Sequence, residues 1–557
     1  MKTILEALAV AAALPGGRGF HALKNGKVSA SLSYAELQQR AEKRGAQLRR
    51  ELELGERVGL IFFNETDFIE LFFSIMIAGA VPVPIAPPQP FSPLNGFYRR
   101  VGLIARQSSI KRFFVSTSIS EDVRETLGVD TASVVQTIDE HNVAVTCGEP
   151  IPCDHSETRC EVALVQYTSG STSDPKGVVV SHSNLILNVL AMRESFAMSP
   201  TSSGVTWLPF FHDMGLIGGL LLPIASGSDA YIMRTAEFIK SPLLWLKAIS
   251  DFSLEISPAP NFAYRYCLER HDPQAPLQLD LSRWRSATSG AEPINPGVMR
   301  AFSQVFEPHG FNPAAIMPLY GMAEATLGAT FSTLGQGMRS VFVDRDALRQ
   351  GNVSVVAEGA PGAKEVVCCG TPIRHVAVAI HAEGSAPSAT PLLLGEIALK
   401  GESVCSAYDN DPANTASMLR DGWFMTGDVG FLYNDNLYVV GRNKEVIIIH
   451  GSNYFANDIE SCCAEAPGVR GVAAIALVDS DEEGCALLVV PAKGTDPAYL
   501  ATTLRRKISG ELGINVRDIQ FIQASHLLKT TSGKIDRARM KAFYIDTFLT
   551  PMETAAP

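Results

Sequence analysis

Short apolar runs alternate with amphipathic helical stretches through most of the chain, and that alternation leaves few architectures open. Tyr34 to Leu52 carries apolar residues at helical spacing and is entered by Ser33 as an N-cap. Arg57 to Phe63 then reads as a buried strand, and Asp67 to Gly79 as a second helix with Gly79 at its stop. Val81 to Ile85 is the next strand, broken by Pro87-Pro88; Val162 to Tyr167 and Ser183 to Glu194 repeat the strand-helix order. Such an order predicts parallel sheets with helices on their faces, an α/β fold. Ahead of it, Ile4, Leu5, Leu8 and Ala12 fall on one helical face, and Glu6 interrupts the apolar run, so a packed first helix is expected there rather than a secretion signal.

A chain of 557 residues is too long for one ordinary core. The best boundary follows Leu437-Tyr438-Val439-Val440, where Gly441-Arg442-Asn443-Lys444 opens a charged junction. Two domains are therefore expected, residues 1–440 and a small α/β domain over 441–557. The net charge of −11 argues against a sequence-blind nucleic-acid binder, which would carry a basic excess. No uncharged apolar run reaches the roughly 18 residues that suggest a membrane span. The ten cysteines are scattered, with adjacent pairs at Cys368-Cys369 and Cys462-Cys463 in place of zinc-ligand spacing. Buried thiols in a reducing compartment, and so a cytoplasmic protein, are the expectation.

Chemistry enters after the strand Ala163-Leu164-Val165. Tyr167-Thr168-Ser169-Gly170-Ser171-Thr172-Ser173-Asp174-Pro175-Lys176-Gly177 gathers hydroxyls, glycines and one lysine on a loop. Backbone N–H groups and hydroxyls in such a loop can wrap phosphate oxygens, and Lys176 adds a point charge. The order is Lys-Gly, whereas a Walker loop reads Gly-Lys-Ser/Thr, so this is a different phosphate loop.

The stretch resembles the phosphate loop of the adenylate-forming superfamily: acyl-CoA synthetases, luciferases and peptide-synthetase adenylation domains. Five further motifs follow in the family's order. Ser289-Gly290-Ala291-Glu292-Pro293 is similar to the loop bordering adenine, Tyr320-Gly321-Met322-Ala323-Glu324 to the aromatic-Gly-x-x-Glu motif, and Thr426-Gly427-Asp428 to the ribose-binding aspartate motif. Gly441-Arg442 resembles the opening of the hinge motif, and Thr531-Ser532-Gly533-Lys534 the motif of the C-terminal catalytic lysine. The resemblance implies a large N-terminal domain of layered α/β subdomains and a small mobile C-terminal domain, with ATP and Mg²⁺ as cofactors. It implies nucleotide contacts from Thr168, Ser169, Gly170, Ser171, Thr172, Lys176, Ser289, Gly290, Ala291, Glu292, Tyr320, Gly321, Met322, Ala323, Asp428 and Arg442. Glu324 and Thr168 are implied as the metal's ligands, Lys444 as the hinge, and Lys534 with His212 as catalytic. The side chains suit those roles. Tyr320 offers a flat face for adenine, Glu324 is a hard oxygen ligand, Asp428 can accept from both ribose hydroxyls, and an ammonium at Lys534 can meet charge developing on phosphate.

Trp207-Leu208-Pro209-Phe210-Phe211-His212-Asp213-Met214-Gly215-Leu216-Ile217-Gly218-Gly219 and Ser257-Pro258-Ala259-Pro260-Asn261-Phe262-Ala263-Tyr264 resemble the fatty acyl-AMP ligases in particular. So do Ser173 and the run Ile447-Ile448-Ile449, although His450 and Ser452 stand where those ligases usually carry arginine. Glu324 and Gly370 are 46 positions apart (370 − 324), and the excess over CoA-forming relatives resembles the insertion of that subfamily. Val341-Phe342-Val343 and Val353 to Val356 are apolar enough to pack down on the large domain. The resemblance implies a fatty acid substrate, an acyl slot from Trp207, Met214, Ile217 and Phe262, and an acyl carrier protein, of a polyketide or peptide pathway, as acceptor. Two other readings stand beside it. One is a fatty acyl-CoA ligase with a decorated loop; the other, against which intact Lys534, Glu324 and Asp428 argue, is a non-catalytic adenylate-binding scaffold.

Overall fold

The computed structural model describes residues 1–88, 94–139, 159–168, 175–274, 277–449, 452–479, 482–530 and 533–549. Ser169, Gly170, Ser171, Thr172, Ser173, His450, Thr531 and Ser532 lie outside them.

Most N-terminal elements form as the pattern predicts; the exception is strand Val162–Thr168, which pairs antiparallel with Lys176–Ser181 instead of joining a parallel sheet. Helix Tyr34–Glu51 is closed at its start by a capping box between Ser33 and Glu36, and helix Thr66–Ala78 ends on Gly79 at φ +86°. Strands Arg57–Ile61 and Val81–Ile85 lie side by side and parallel, continued by Arg112–Val115 and Val134–Gln136 into a four-stranded parallel sheet. The first helix, Ile4–Ala12, buries Ile4, Leu5 and Leu8.

A nine-stranded sheet positions several of the candidate residues. Its centre is parallel: Gly19–Lys24, Asp229–Met233, Ser203–Thr206, Ile256–Ala259, Ser286–Ser289 and Ile316–Gly321. Three candidate segments leave from ends of these strands: Asn261-Phe262 after the fourth, Gly290-Ala291-Glu292 after the fifth, and Met322 to Glu324 after the sixth. That arrangement gathers the segments at the strands' carboxyl ends, where open α/β sheets bind ligands.

Parallel sheets do not account for the rest. The five-stranded sheet built on Ala377–His381, Gly395–Lys400, Trp423–Tyr433, Leu419–Arg420 and Asn436–Arg442 is antiparallel. Its last two long strands are joined through Asn434 and Asp435, both in the left-handed region at φ +48° and +60°. A two-residue turn of that kind makes a hairpin directly, with no crossover helix.

Beyond Ile447 the chain builds its own core. Helices Ala456–Ala464, Pro497–Leu512 and Arg537–Tyr544 pack on Val469–Asp479, Glu482–Pro491 and Asp518–Phe521, the first pair antiparallel and the second parallel. At the junction Gly441 has no room for a side chain, since an added Cβ would stand 2.3 Å from the Phe455 ring.

The segment between Glu324 and Gly370 folds as a three-stranded antiparallel sheet, Ser340–Asp344, Val355–Val356 and Ala363–Val367, with the short helix Arg345–Arg349 between its first two strands. Val343 and Leu348 share a core with Phe431, Tyr438 and Phe455. The expectation for Val353 to Val356 holds only in part: Val353 packs against that core, whereas Val355 sits on a two-residue strand and is 39% exposed.

Candidate active site

Asp428 sits on the long strand Trp423–Tyr433, cross-paired with Arg442 on the strand beside it. Its N–H donates to Thr426 Oγ1 at 3.1 Å, and the Thr426 hydroxyl donates to the Ile397 carbonyl. Both carboxylate oxygens are held: Tyr320 O–H donates to Oδ2 at 2.8 Å and Arg442 Nε–H to Oδ1 at 2.7 Å. Burial, and then the Asp428 charge, push the Tyr320 hydroxyl far above the usual phenol range, so it remains a donor. Asp428 in turn raises Arg442 further above its ordinary value. Tyr320 and Asp428 are buried while the Arg442 side chain is 40% exposed, so a polar ligand can reach the pair from the arginine's side.

Two glycines keep this neighbourhood tight. A Cβ on Gly321 would stand 1.9 Å from the Leu327 carbonyl, which accepts from Met322 N–H. One on Gly290 would stand 2.4 Å from Leu319 Cδ1. Ser289 is buried, and its hydroxyl has no protein hydrogen-bond partner; Ala291 turns the chain at φ +64°.

Glu324 lies on a single turn, Ala323–Ala325, and its carboxyl accepts from Tyr408 O–H at 2.8 Å. Burial pushes that carboxyl above the usual range, and the Tyr408 bond works against the push. Lys176 Nζ stands 5.0 Å above the same Tyr408 ring. Thr168 is Lys176's partner across an antiparallel pair, with its hydroxyl 3.5 Å from the Lys176 carbonyl. Among the described residues no group of three or more His, Cys, Asp or Glu gathers to hold a metal.

A third group comes from the C-terminal domain. The Lys534 ammonium lies within electrostatic reach of Arg442, Asp213, Asp428 and Glu292, and burial, then Arg442, lower its pKa below the ordinary lysine range. Gly533, at φ +87°, lies beside Phe262, where an added Cβ would be in ordinary contact at 3.8 Å from the ring. Phe262 N–H donates to Glu292 at 2.5 Å, and burial raises the Glu292 carboxyl. His212 Nδ1 is 2.6 Å from Asp213 Oδ1. Burial acts to raise Asp213, but His212, the Met214 N–H and Lys534 overcome it and hold this carboxyl below its usual range.

The structure thus gathers Tyr320, Asp428, Arg442, Glu292, Phe262 and Lys534. Lys444 is exposed on the turn Asn443–Glu445, at the edge of this group. Trp207 and Met214 are buried in one core with Phe262, and the Trp207 ring stacks on Phe238 at 3.7 Å. Ile217 packs into a different core, with Phe210 and Leu216. Sequence reading gave no role to Asp213, Tyr408 or Asp409. Asp213 was visible only as the neighbour of His212, and Tyr408 lies 84 positions from the Glu324 it touches, which no local pattern reveals.

Beyond Lys534, Arg537 pairs at 2.5 Å with Glu445, one residue past Lys444, and at 2.5 Å with Glu460.

The fold is that of the adenylate-forming ligases, a class of ATP-using enzymes. The chain belongs to the AMP-binding enzyme family, whose model matches residues 13–409. It is 33% identical to the medium-chain-fatty-acid–acyl-carrier-protein ligase JamA of Moorena producens, over 96% of this chain and 94% of that one. It is 30% identical to a long-chain-fatty-acid–AMP ligase of Mycolicibacterium smegmatis, over 93% and 90%. A solved structure from a study of fatty acyl-adenylate ligases of E. coli and L. pneumophila superposes with a TM-score of 0.89 at 30% identity, covering 98% of both chains.

Proposed function

We propose that the chain joins a fatty acid to AMP and passes the acyl group to the phosphopantetheine thiol of an acyl carrier protein. One observation carries the adenylation step: the C-terminal domain brings Lys534 into the electrostatic field of Asp428, Arg442, Asp213 and Glu292. A carboxylate oxygen attacks the α-phosphorus, the bond to the β-phosphate oxygen breaks, and pyrophosphate leaves. The Lys534 ammonium stabilises the charge that gathers between acyl and phosphate oxygens. Asp428 accepts from the ribose hydroxyls, Tyr320 gives adenine its face, and Ser289, Gly290, Ala291 and Glu292 border it. His212, held by Asp213, would meet the reacting carboxylate. In the second step a thiolate attacks the acyl carbon and AMP leaves. The acyl chain runs past Phe262 toward Trp207 and Met214.

A single buried carboxylate, Glu324, fits Mg²⁺, which takes one or two protein carboxylates and completes its shell with phosphate oxygens and water. Glu324 and Thr168 would hold it, and its charge would neutralise the phosphates. The division we propose falls after Val440, with residues 1–440 binding substrates and 441–557 forming the lid that turns at Lys444. The described cysteines are free, which fits a reducing compartment such as the cytoplasm. No helix among the described residues is long and apolar enough to cross a membrane.

The carrier protein is favoured over free CoA by the insertion. Arg349 Nη2–H donates to the Leu512 carbonyl at 2.6 Å, and its guanidinium lies 4.7 Å over the Tyr454 ring. Lys364, just beyond, pairs with Asp458 at 2.7 Å. These contacts fasten the small domain in its present pose. Incubation with ATP, Mg²⁺ and a panel of fatty acids, with or without CoA and a phosphopantetheinylated carrier, tests the reading by product mass. Acyl-AMP and acyl-carrier with little acyl-CoA is the expected result. Acyl-CoA formed as readily as acyl-AMP would hand the case to the CoA ligase.

A further inference from the structure

We propose that Tyr408 and Asp409 are positioning residues for adenylation, which together fix the spacing between the Glu324 carboxylate and the Lys176 ammonium. The inference rests on the reading of Glu324 as the metal's carboxylate. Tyr408 touches both groups. Its hydroxyl donates to Glu324 Oε1 at 2.8 Å and the Lys176 ammonium stands 5.0 Å above its ring. One rigid aromatic side chain therefore sets where an anion and a cation stand relative to each other.

Asp409 closes a circuit around the strands that flank the phosphate loop. Its N–H donates to the Gly177 carbonyl at 2.6 Å. Its carboxylate accepts from Ser108 O–H at 2.6 Å and from Arg57 Nη2–H at 3.0 Å. Ser108 shares a 2.7 Å hydrogen bond with the Tyr167 hydroxyl, and the Tyr167 ring lies across Gly177, where a Cβ would meet it at 2.8 Å. The path Tyr167, Ser108, Asp409, Gly177 returns to Tyr167. Ser108 and Asp409 are nearly fully buried, so water competes little for these bonds.

Tyr408 and Asp409 lie outside any helix; Tyr408 makes one antiparallel bridge to Val178, and Thr415 Oγ1 accepts its N–H at 3.0 Å. Nothing in regular secondary structure locates the dipeptide. Its contacts do, and they run to the phosphate-loop strands on one side and to Glu324 on the other. A tyrosine that merely filled the core would satisfy its hydroxyl anywhere nearby.

Equilibrium binding of ATP, with and without Mg²⁺, tests the assignment without turnover. Tyr408→Phe keeps the ring under Lys176 and deletes only the bond to Glu324. Its expected effect is a loss of about tenfold in the affinity that Mg²⁺ adds to ATP binding, the scale for one hydrogen bond to a charged group. Affinity without Mg²⁺ and the KM for the fatty acid should stay as in the unaltered protein. Tyr408→Leu removes the ring as well and should also weaken ATP binding without Mg²⁺. Glu324→Gln separates the two readings. If it leaves the Mg²⁺ dependence intact, the metal reading fails and the inference with it. If Glu324→Gln abolishes the dependence and Tyr408→Phe does not change it, the metal reading stands and the positioning role is overturned. Equal losses for ATP with Mg²⁺, ATP without it and the acid in Tyr408→Phe would mark Tyr408 as structural and also overturn the role.

Discussion

Replacing Arg349 by alanine should loosen the small domain and let free CoA in as an acceptor. Arg349 makes two contacts across the joint, a charged hydrogen bond to the Leu512 carbonyl and a cation–π contact with Tyr454. The first is worth about 1.5–3 kcal/mol net. The second adds about 0.5–1 kcal/mol at a partly exposed site. The Asp346 partner is 76% exposed and contributes little. A loss of about 2.5 kcal/mol multiplies the population of the released arrangement by roughly 70. If about 3 kcal/mol holds that arrangement below roughly 1%, the substitution raises it to about a third. Acyl-CoA should then appear beside acyl-AMP in a quenched reaction analysed by mass, while pyrophosphate release stays near its original rate. An unchanged product ratio in a folded, adenylating Arg349→Ala protein would refute the idea that these contacts exclude CoA.

Lys534→Ala should cut acyl-AMP formation by about two orders of magnitude or more, read as pyrophosphate release, with ATP binding little changed. Adenylation should fall as pH climbs through the lowered Lys534 pKa, because the ammonium is the stabilising form; Lys534→Arg should move that alkaline limb upward in a pH–rate profile. The same lowering means the folded protein holds this proton less tightly than the unfolded chain, so this lysine's contribution to stability improves as pH rises. Lys444→Pro should slow transfer to the carrier more than adenylation in single-turnover measurements of each half-reaction, since it fixes a φ angle at the joint. Gly321→Ala should cost about 1–3 kcal/mol in denaturant unfolding, because its methyl would stand 1.9 Å from the Leu327 carbonyl.

Elements whose stability is local were legible. Ser33 and Glu36 write a capping box within four residues, and Gly79 ends its helix because only a residue tolerant of positive φ fits there. Thr426-Gly427-Asp428 and the segment from Tyr320 to Glu324 drew attention as short motifs, although their strand and turn conformations were not read from the sequence. The antiparallel five-stranded sheet was missed: the Asn434-Asp435 turn that makes its hairpin was not weighed against the strand-helix alternation upstream. The eight-residue π-helix Met214–Leu221, inside a segment singled out for its residues alone, was equally invisible. Its Gly215 fits because it has no side chain: an added Cβ would stand 2.1 Å from the Pro209 carbonyl, a clash set by the neighbouring turn. Tyr408 and Asp409 mattered for what they touch across the fold, and a chain read one residue at a time does not display that.

The ion pairs of Arg537 carry a consequence for timing. On the proposed division, with the turn at Lys444, Glu445 would fall on the moving side of the joint, as would Glu460 and Arg537. On that reading Lys534, a few residues before Arg537, would ride on a braced block that begins one residue past the proposed pivot. The ammonium would then reach the phosphates with the lid and leave with it. Chemistry and closure would be a single event, and a departing lid would disarm the site as it opened the path for the thiol.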